Sequence, residues 1–457
     1  MAEAGKQFVG PTRAMDSLGA AWMMGAAALL IGIGTVLTQL DVSTLLVTVA
    51  LAATSIAALA PGSWLLRQFR RRSVVTVLVA AIAIQAIASA SQSTVSGVWY
   101  PLAMLGIAVV GVHAVLVESR WRTAELVLVI AGHFVLMAIM LRVSGAPDID
   151  VYRFQQEGSA ALLRGENPFA MTFLNTAGPD SPYYSPEVLD ADRLNFGFIY
   201  PPLSLLMALP GYLIAGDYRY GALGAVSLTA FLIGSMRPGP LAIGAALLML
   251  FAPITGFLLY WGWTDPFVVL LLALTVVLAA RRAGATPVAL GLLIASKQYV
   301  APLYVLAIVL LRGARRRVGL ARFAWIPLVV GGVTVVPFVV WDASAFIYST
   351  VTVHLLQPFR IDSLSIPAML ARNGFTTPVP GWLPFAAATA IMAVALWRAP
   401  RTNPGFCVST AVVLMTFFLL SKQAFLHYYF LPLVALCLGI AATGPVDGRD
   451  EPDGLAR

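Results

Sequence analysis

Charge is scarce in this chain: Asp, Glu, Lys and Arg make up only 11% of its 457 residues. So little polar surface cannot cover the core of a soluble domain of that length, which excludes a soluble fold. Lysine occurs only at Lys6, Lys297 and Lys422, so the position of each is informative. Cysteine is nearly absent, and Cys407 and Cys437 both fall within apolar runs, so neither a disulfide framework nor thiol chemistry finds support. No P-loop, GxGxxG, Gly-x-Ser-x-Gly or Cys/His metal spacing occurs, and neither a metal nor a bound cofactor is expected. The first apolar run, residues 17–39, lacks a small-residue cleavage site behind it and is expected to be a retained span.

What is abundant is apolar sequence: 59% of the residues are hydrophobic, and the mean hydropathy is +0.85. Repeated apolar runs of about twenty residues predict an all-α polytopic membrane protein. The net charge of +8 does not point to nucleic acid, because the arginines cluster in short connections. These are Arg67 with Arg70, Arg71 and Arg72; Arg120 with Arg122; Arg281 with Arg282; Arg312 with Arg315, Arg316 and Arg317; and Arg398 with Arg401. With them inside, about 20 of the 29 Lys and Arg and about 8 of the 21 Asp and Glu lie inside, roughly +12 there and −4 outside. The basic excess is therefore an orientation signal, and no nucleic-acid partner is expected.

Spans are expected near 17–39, 43–61, 73–90, 98–117 and 124–143, which leaves the polar stretch after them outside. Polar backbone at a membrane is tolerated only where water or protein satisfies it, so that stretch, 144–218, is a first outer loop. Within it Tyr200–Gly216, with Pro201, Pro202 and Pro210, predicts an interfacial or re-entrant helix. A span near 219–236 follows, then a hairpin over 240–280 with Trp261-Gly262-Trp263-Thr264-Asp265 at its tip. Residues 286–311 are too short for two crossings, since each half covers only about 17 Å at about 1.5 Å per residue. They predict a thin hairpin tipped by Ser296-Lys297-Gln298-Tyr299. After a span near 322–341, a second outer segment, 342–381, is broken into short helices by Pro358 and Pro367. Spans near 382–398, 405–421 and 425–443 and a cytoplasmic tail over 444–457 complete about fourteen membrane segments. Ser-Lys-Gln occurs at 296–298 and again at 421–423, each time at an expected outer turn.

Ionisable groups at a membrane's edge are costly unless they serve a polar cavity or pair with one another. The outer face gathers Asp148, Asp150, Tyr152, Arg153, Arg164, Arg219, Asp265, Lys297, His354, Arg360, Asp362, Lys422 and His427. Lys297 and Lys422 run against the positive-inside trend and point to a site. Asp180, Glu187, Asp190, Asp192 and Arg193 read instead as the solvated middle of a lid or spacer. Asp148 and Asp150 are two residues apart, which puts them on different sides of a helix. Either is a candidate general base or a helix cap. As a metal–nucleotide Asp-x-Asp motif they would need a nucleotide sugar on the wrong side of the membrane. His113 and His133, inside spans, read as satisfied core residues, while His354 and His427 are open between site and structure. The Trp-rich turn before Asp265 is open between a sugar contact and an interfacial belt.

Several motifs together carry a family resemblance. Tyr152 follows Asp148 by four residues; Leu162, Gly165, Pro168 and Phe169 form Leu-x-x-Gly-x-x-Pro-aromatic; Tyr200-Pro201-Pro202-Leu203 comes next, and then the hairpin tipped by Lys297. Over roughly 140–440 the chain resembles the GT-C superfamily of membrane glycosyltransferases. It is most similar to the family-87 polyprenol-phosphate-sugar-dependent, mannose-type enzymes of actinobacterial envelopes. The resemblance implies a GT-C-like catalytic core over 121–443, with short interfacial helices in the outer loops. It implies a four-span N-terminal extension over 1–120, because the family's aspartate usually follows its first span. The activity implied is metal-independent, inverting transfer from a polyprenyl-phosphate sugar (mannose or arabinose) to a glycolipid or polysaccharide hydroxyl, on the outer face of the plasma membrane. Carried over to this chain, Asp148 is the base, with Asp150 the alternative, while Lys297, Arg219 and Lys422 hold the donor phosphate. Tyr152, Arg164, Tyr200, Asp265, Gln298, His354, Arg360, Asp362 and His427 are the implied substrate contacts. The chemistry agrees: a base must meet the acceptor hydroxyl, and positive charge must meet the departing phosphate.

Two other classes compete. A lipid-linked-sugar flippase or transporter calls for ionisable residues near the bilayer midplane in related halves, whereas these charges collect at the outer rim. A non-catalytic partner in an envelope assembly is the third reading.

Overall fold

The computed structural model describes residues 18–35, 37, 39–59, 71–92, 94–178, 182–310, 316–375 and 379–443. Lys6, Arg67, Arg70, Asp180, Arg312, Arg315 and the expected tail over 444–457 lie outside these residues. The chain is all-α apart from a very small sheet, and its first helices follow the apolar runs closely. They are α1 (Leu18–Gly34), α2 (Leu40–Leu59), α3 (Arg71–Ser91), α4 (Trp99–Leu116) and α5 (Arg122–Ser144).

The first outer loop is more ordered than a spacer. It opens with α6 (Asp150–Leu163), whose end is turned by Gly165 at φ +76°, with the Glu166 N–H bonded back to the Ala161 carbonyl. Strands β1 (Phe173–Leu174), β2 (Leu189–Asp190) and β3 (Arg193–Leu194) then form an antiparallel sheet in the order β1-β3-β2. Glu187, Asp190, Asp192 and Arg193 are exposed as expected, but the backbone between them is folded around a second core. Phe154, Phe169, Phe173, Tyr184, Phe196 and Phe198 build that core. The expectation of a solvated lid or spacer is thereby corrected: alternate aromatic positions on both sides of the acidic residues bury enough surface to order the loop.

The loop exits through Pro202 at the first position of α7 (Pro202–Ala215), where the missing N–H costs nothing. Then come α8 (Arg219–Gly234), α9 (Pro240–Leu250), α10 (Pro253–Trp261) and α11 (Asp265–Ala280). The α9–α10 pair is bent by 45° at Pro253, so the first arm of the expected hairpin is a broken helix. The thin hairpin also takes its expected form. α12 (Thr286–Ile294) stops just short of Lys297, a single tight turn covers Gln298–Val300, and the descending arm is α13 (Leu303–Leu306) with a further turn over Ala307–Leu310. A long α14 (Arg316–Trp341) leads to α15 (Ala343–Ile347), a π turn at Tyr348–Thr352, α16 (Val353–Leu356) and α17 (Ile366–Arg372). The last three helices are α18 (Leu383–Arg398), α19 (Asn403–Leu420) and α20 (Phe430–Ala442).

Six described helices are long and apolar enough to cross a membrane, or seven if α9–α10 counts as one broken span. The other apolar helices have 10–17 residues, so each covers less than the roughly 30 Å of a bilayer core. Large apolar side chains such as Leu213, Ile214, Val333 and Val340 stand exposed on these helices, as lipid-facing positions require. Behind them one continuous buried core runs from Ala20 in α1 to Ala441 in α20. α1 packs on α2, α3 and α20, and α3 and α4 both pack on α9, so the four N-terminal helices are fused to the rest.

Small residues set the closest contacts. A Cβ on Gly211 of α7 would lie 2.3 Å from the Gly221 backbone nitrogen of α8, which cannot move aside cheaply. Gly224, three residues along α8, has nothing within 4 Å of its Cβ position. Gly211→Ala is therefore expected to destabilise the protein by about 1–3 kcal/mol in detergent unfolding, and Gly224→Ala to be neutral or mildly stabilising.

Candidate active site

A buried ion pair organises the end of the fold at which the 144–218 loop lies. Asp265 occupies the first turn of α11, where the helix dipole favours an anion, and its side chain is fully buried. Lys297 Nζ donates to Asp265 Oδ2 at 2.9 Å, and the Tyr299 hydroxyl donates to Oδ1. The ammonium also lies 5.2–5.7 Å from the ring centres of Tyr200, Tyr299 and Tyr428. The break between α12 and the following turn thus puts a lysine where a carboxylate and aromatic faces stand in for lost water.

Beside this pair opens a cavity of about 910 Å³ lined by both polar and apolar side chains. Tyr200, Lys297, Gln298, His354, Lys422 and Tyr428 line the polar end. Leu370, Phe375, Phe385 and Phe417 line an apolar arm by α17, α18 and α19, and Phe359 lines the cavity next to the Lys422–Gln423 turn. Both Ser-Lys-Gln tripeptides meet here: Lys297, Gln298, Ser421, Lys422 and Gln423 all reach the same cavity. Gln298 donates to the carbonyls of Ile199 (2.8 Å) and Thr350 (3.2 Å), and Gln423 to that of Pro358 (2.7 Å). The amides therefore pin the flanking outer segments, while the lysines supply charge.

That charge is nearly cancelled. Lys297 is balanced by Asp265, and burial pulls His354 below the usual histidine range, so its imidazole is neutral. Lys422 remains as the uncompensated cation among the described lining residues. Its Nζ donates to the carbonyls of Leu355 (3.2 Å) and Gln357 (2.5 Å), which leaves one N–H for a ligand.

The two loop carboxylates part company: Asp148 precedes α6, and Asp150 is its first residue. Asp148 points outward, is 74% exposed and pairs with Arg153 at 3.2 Å. Asp150 is half-buried and accepts the Tyr184 hydroxyl and the Val151 N–H; it is not itself among the residues that line the cavity. Burial raises its pKa above the usual carboxylate range, while Tyr184, Val151 and Arg360 oppose the shift. Arg360 pairs with Asp362 (2.6 Å) and lies over the rings of Tyr183 (3.8 Å) and Phe425 (4.8 Å). Close by, His427 stacks on Trp263 with ring centres 3.6 Å apart. Among the described residues, His427 Nδ1 and Trp263 Nε1 are buried with no hydrogen-bond partner.

Three expected contacts lie elsewhere. Arg219 is 1% exposed and spends its donors on Asp217 (2.6 Å), the Tyr260 carbonyl (2.9 Å) and the Gly145 carbonyl (2.7 Å). Tyr152 lies under it at 5.0 Å, so both belong to a knot tying α6 and α8 to the end of α5. Arg164 pairs with Glu166 at 2.6 Å on the exposed surface. Of the span histidines, His133 is buried edge-on to Phe251, but His113 is exposed at the end of α4 and pairs with Glu125 at 3.3 Å. His113 is therefore not a core residue. The end of α4 meets the start of α5, where a carboxylate is available.

Tyr184 and Tyr428 carry no signal in the sequence, because aromatics are common in so apolar a chain. Tyr299, Trp263 and Gln423 are marked there only as part of the hairpin tip, the Trp-rich turn and the second Ser-Lys-Gln.

The family model of glycosyltransferase family 87 matches residues 198–422, from the exit of the outer loop to Lys422. No curated protein and no solved structure matches the chain.

A carboxyl whose pKa is raised by folding contributes stability that is fully present below its unfolded pKa and is lost as pH rises through the folded one. Asp150→Asn cannot ionise, so it is expected to melt higher than the wild type at neutral pH. The gap should close as pH falls toward the ordinary Asp value of about 4. Thermal melts across pH check this; a variant that melts lower than the wild type at neutral pH contradicts it.

Proposed function

We propose that the chain transfers a sugar from a polyprenyl phosphate to an acceptor hydroxyl, on the premise that residues 198–422 match the model of glycosyltransferase family 87. The single observation that carries the donor class is the cavity lining: among the described residues, one uncompensated cation, Lys422, shares the cavity with a wall of apolar side chains. That pattern suits an amphiphile with one negative charge and a hydrocarbon tail. A sugar phosphodiester of a polyprenol is such a molecule, and a nucleotide sugar, which carries more charge and no tail, is not.

In this reading the donor tail lies along Phe375, Phe385 and Phe417, and its phosphate meets the free N–H of Lys422 near His354. The Lys297–Asp265 pair supports the floor of the polar end and keeps Tyr200 and Tyr428 in place. Arg360 with Asp362 borders the acceptor side. Asp150 takes the proton of the acceptor hydroxyl as its oxygen attacks the anomeric carbon. The bond from that carbon to the phosphate oxygen breaks, and the polyprenyl phosphate leaves with the electron pair. One displacement inverts the centre, and the developing charges are met by Asp150 on one side and Lys422 on the other. The step draws on side chains alone.

The donor sugar is mannose or arabinose, and the acceptor is a glycolipid or polysaccharide. The reaction lies on the outer face of the plasma membrane, a sidedness supported by the arginine-rich connections at the other ends of the helices. Choosing Asp150 over Asp148 rests on burial, the Tyr184 hydrogen bond and the raised pKa.

With a synthetic polyprenyl-phosphate sugar, Asp150→Asn is expected to lower turnover by about 10²–10⁴-fold. Asp148→Asn should stay within about two-fold of the wild type, since an exposed ion pair contributes little. The reverse order of effects would return the base to Asp148. Lys422→Met is expected to raise the donor KM about ten-fold or more through loss of a charge-assisted hydrogen bond, and an unchanged KM would move the phosphate elsewhere.

A further inference from the structure

The four N-terminal helices lie outside the family match, yet α2 packs on α17, α18 and α19 of the cavity wall, and a polar contact adds to that packing at α17. At the start of α2, Asp41 Oδ1 accepts from Arg372 Nε at 2.8 Å, and Oδ2 accepts from Asn373 Nδ2 at 2.9 Å. Arg372 and Asn373 close the C-terminal end of α17, the helix whose Pro367, Leu370 and Ala371 line the cavity. The same guanidinium donates through Nη1 to the carbonyls of Ile361 (2.5 Å) and Ser363 (3.0 Å), in the loop that carries Arg360 and Asp362. One carboxylate on α2 therefore holds both the helix that walls the apolar arm and, through Arg372, the loop that borders Asp150.

α17 has only seven residues and rests on α2 and α19. Two turns of helix have almost no stability of their own, so its position is set by what it touches. Its first end is fixed by the Ser365 side chain, which accepts from the Ala368 N–H. Its other end has Asp41. A lone exposed ion pair would be worth little, but here one carboxylate bridges two adjacent residues while the guanidinium makes two further bonds, so the contact is a network.

We infer that Asp41 is a positioning residue: through Arg372 and Asn373 it holds α17 in place, and so sets the width of the apolar arm and the lipid tails that the arm accepts. The role rests on the donor class proposed above. It gives the N-terminal helices a part in substrate choice without contact with the substrate, because Asp41 acts through α17 and touches none of the polar end.

Two measurements on the full-length protein in detergent or nanodiscs test this, with Asp41→Ala and the conservative Asp41→Glu. The first is amide hydrogen exchange over residues 366–373, which reads the latch without any substrate. Faster exchange in Asp41→Ala, partly restored in Asp41→Glu, is expected, and unchanged exchange overturns the latch. The second is the donor KM for sugar phosphates of one long and one short polyprenol. In Asp41→Ala the KM should rise about five-fold for the long tail, less for the short one, with the effect on KM rather than kcat. An equal loss for both tails, or a loss confined to kcat, overturns the role in tail selection. Should the wild type transfer from neither donor, the proposed function fails, and the exchange result still decides whether Asp41 holds α17.

Discussion

The Lys297–Asp265 ion pair is the constraint on which the outer half of this protein depends. Two charges buried among apolar helices are tolerable only as a pair with further hydrogen bonds, and here Tyr299 adds one to the carboxylate while aromatic rings surround the ammonium. To make the pair, α12 has to end before Lys297 and the chain has to turn at Gln298–Val300, which breaks a segment that could otherwise have continued as an apolar helix. The same turn delivers Gln298 to the carbonyls of Ile199 and Thr350, so the first and second outer segments are drawn to one point. Removing either charge alone would leave the other buried and uncompensated, so the two are bound to each other's presence.

From that point the site divides by polarity. Toward the loop it is rich in hydroxyls and carboxylates, with Asp150 held under Tyr184. Toward the lipid it is aromatic and aliphatic, walled by α18, α19 and the short α17, which is too short to be stable alone. Those walls borrow stability from elsewhere: α16 from the aromatic outer core through Val353, and α17 from α2 through Asp41. A membrane protein gains little from apolar contact between its helices, because lipid is equally apolar, so such polar ties carry more of the burden of placing elements.

Much of the helical plan was legible in the sequence. Apolar runs located the early spans to within a few residues, prolines marked the starts of α7 and α17, and helix length showed that 286–311 could not cross twice. The two Ser-Lys-Gln tripeptides likewise pointed to a shared place, and they share a cavity. Charge was harder to read, because a sequence shows where an ionisable group is but not what it faces. Arg219 was a reasonable phosphate ligand until Asp217, two residues before it, proved to take its guanidinium. Asp148 and Asp150 are told apart only by where α6 begins: Asp150 opens the helix, and Asp148 stays in the chain before it. The folded core of the outer loop was hidden for another reason: its aromatics are spread over 154–198, and a period of two is too brief in each strand to be noticed.

The central claim is that the cavity holds a lipid-borne sugar phosphate. The most direct measurement is a cryo-electron microscopy structure of the full chain in nanodiscs with a non-hydrolysable polyprenyl-phosphonate sugar. The account predicts phosphonate density at Lys422 beside His354, the tail running past Phe375 and Phe385, and the sugar directed toward Asp150. Ligand density that leaves this cavity empty and sits against another surface would contradict it.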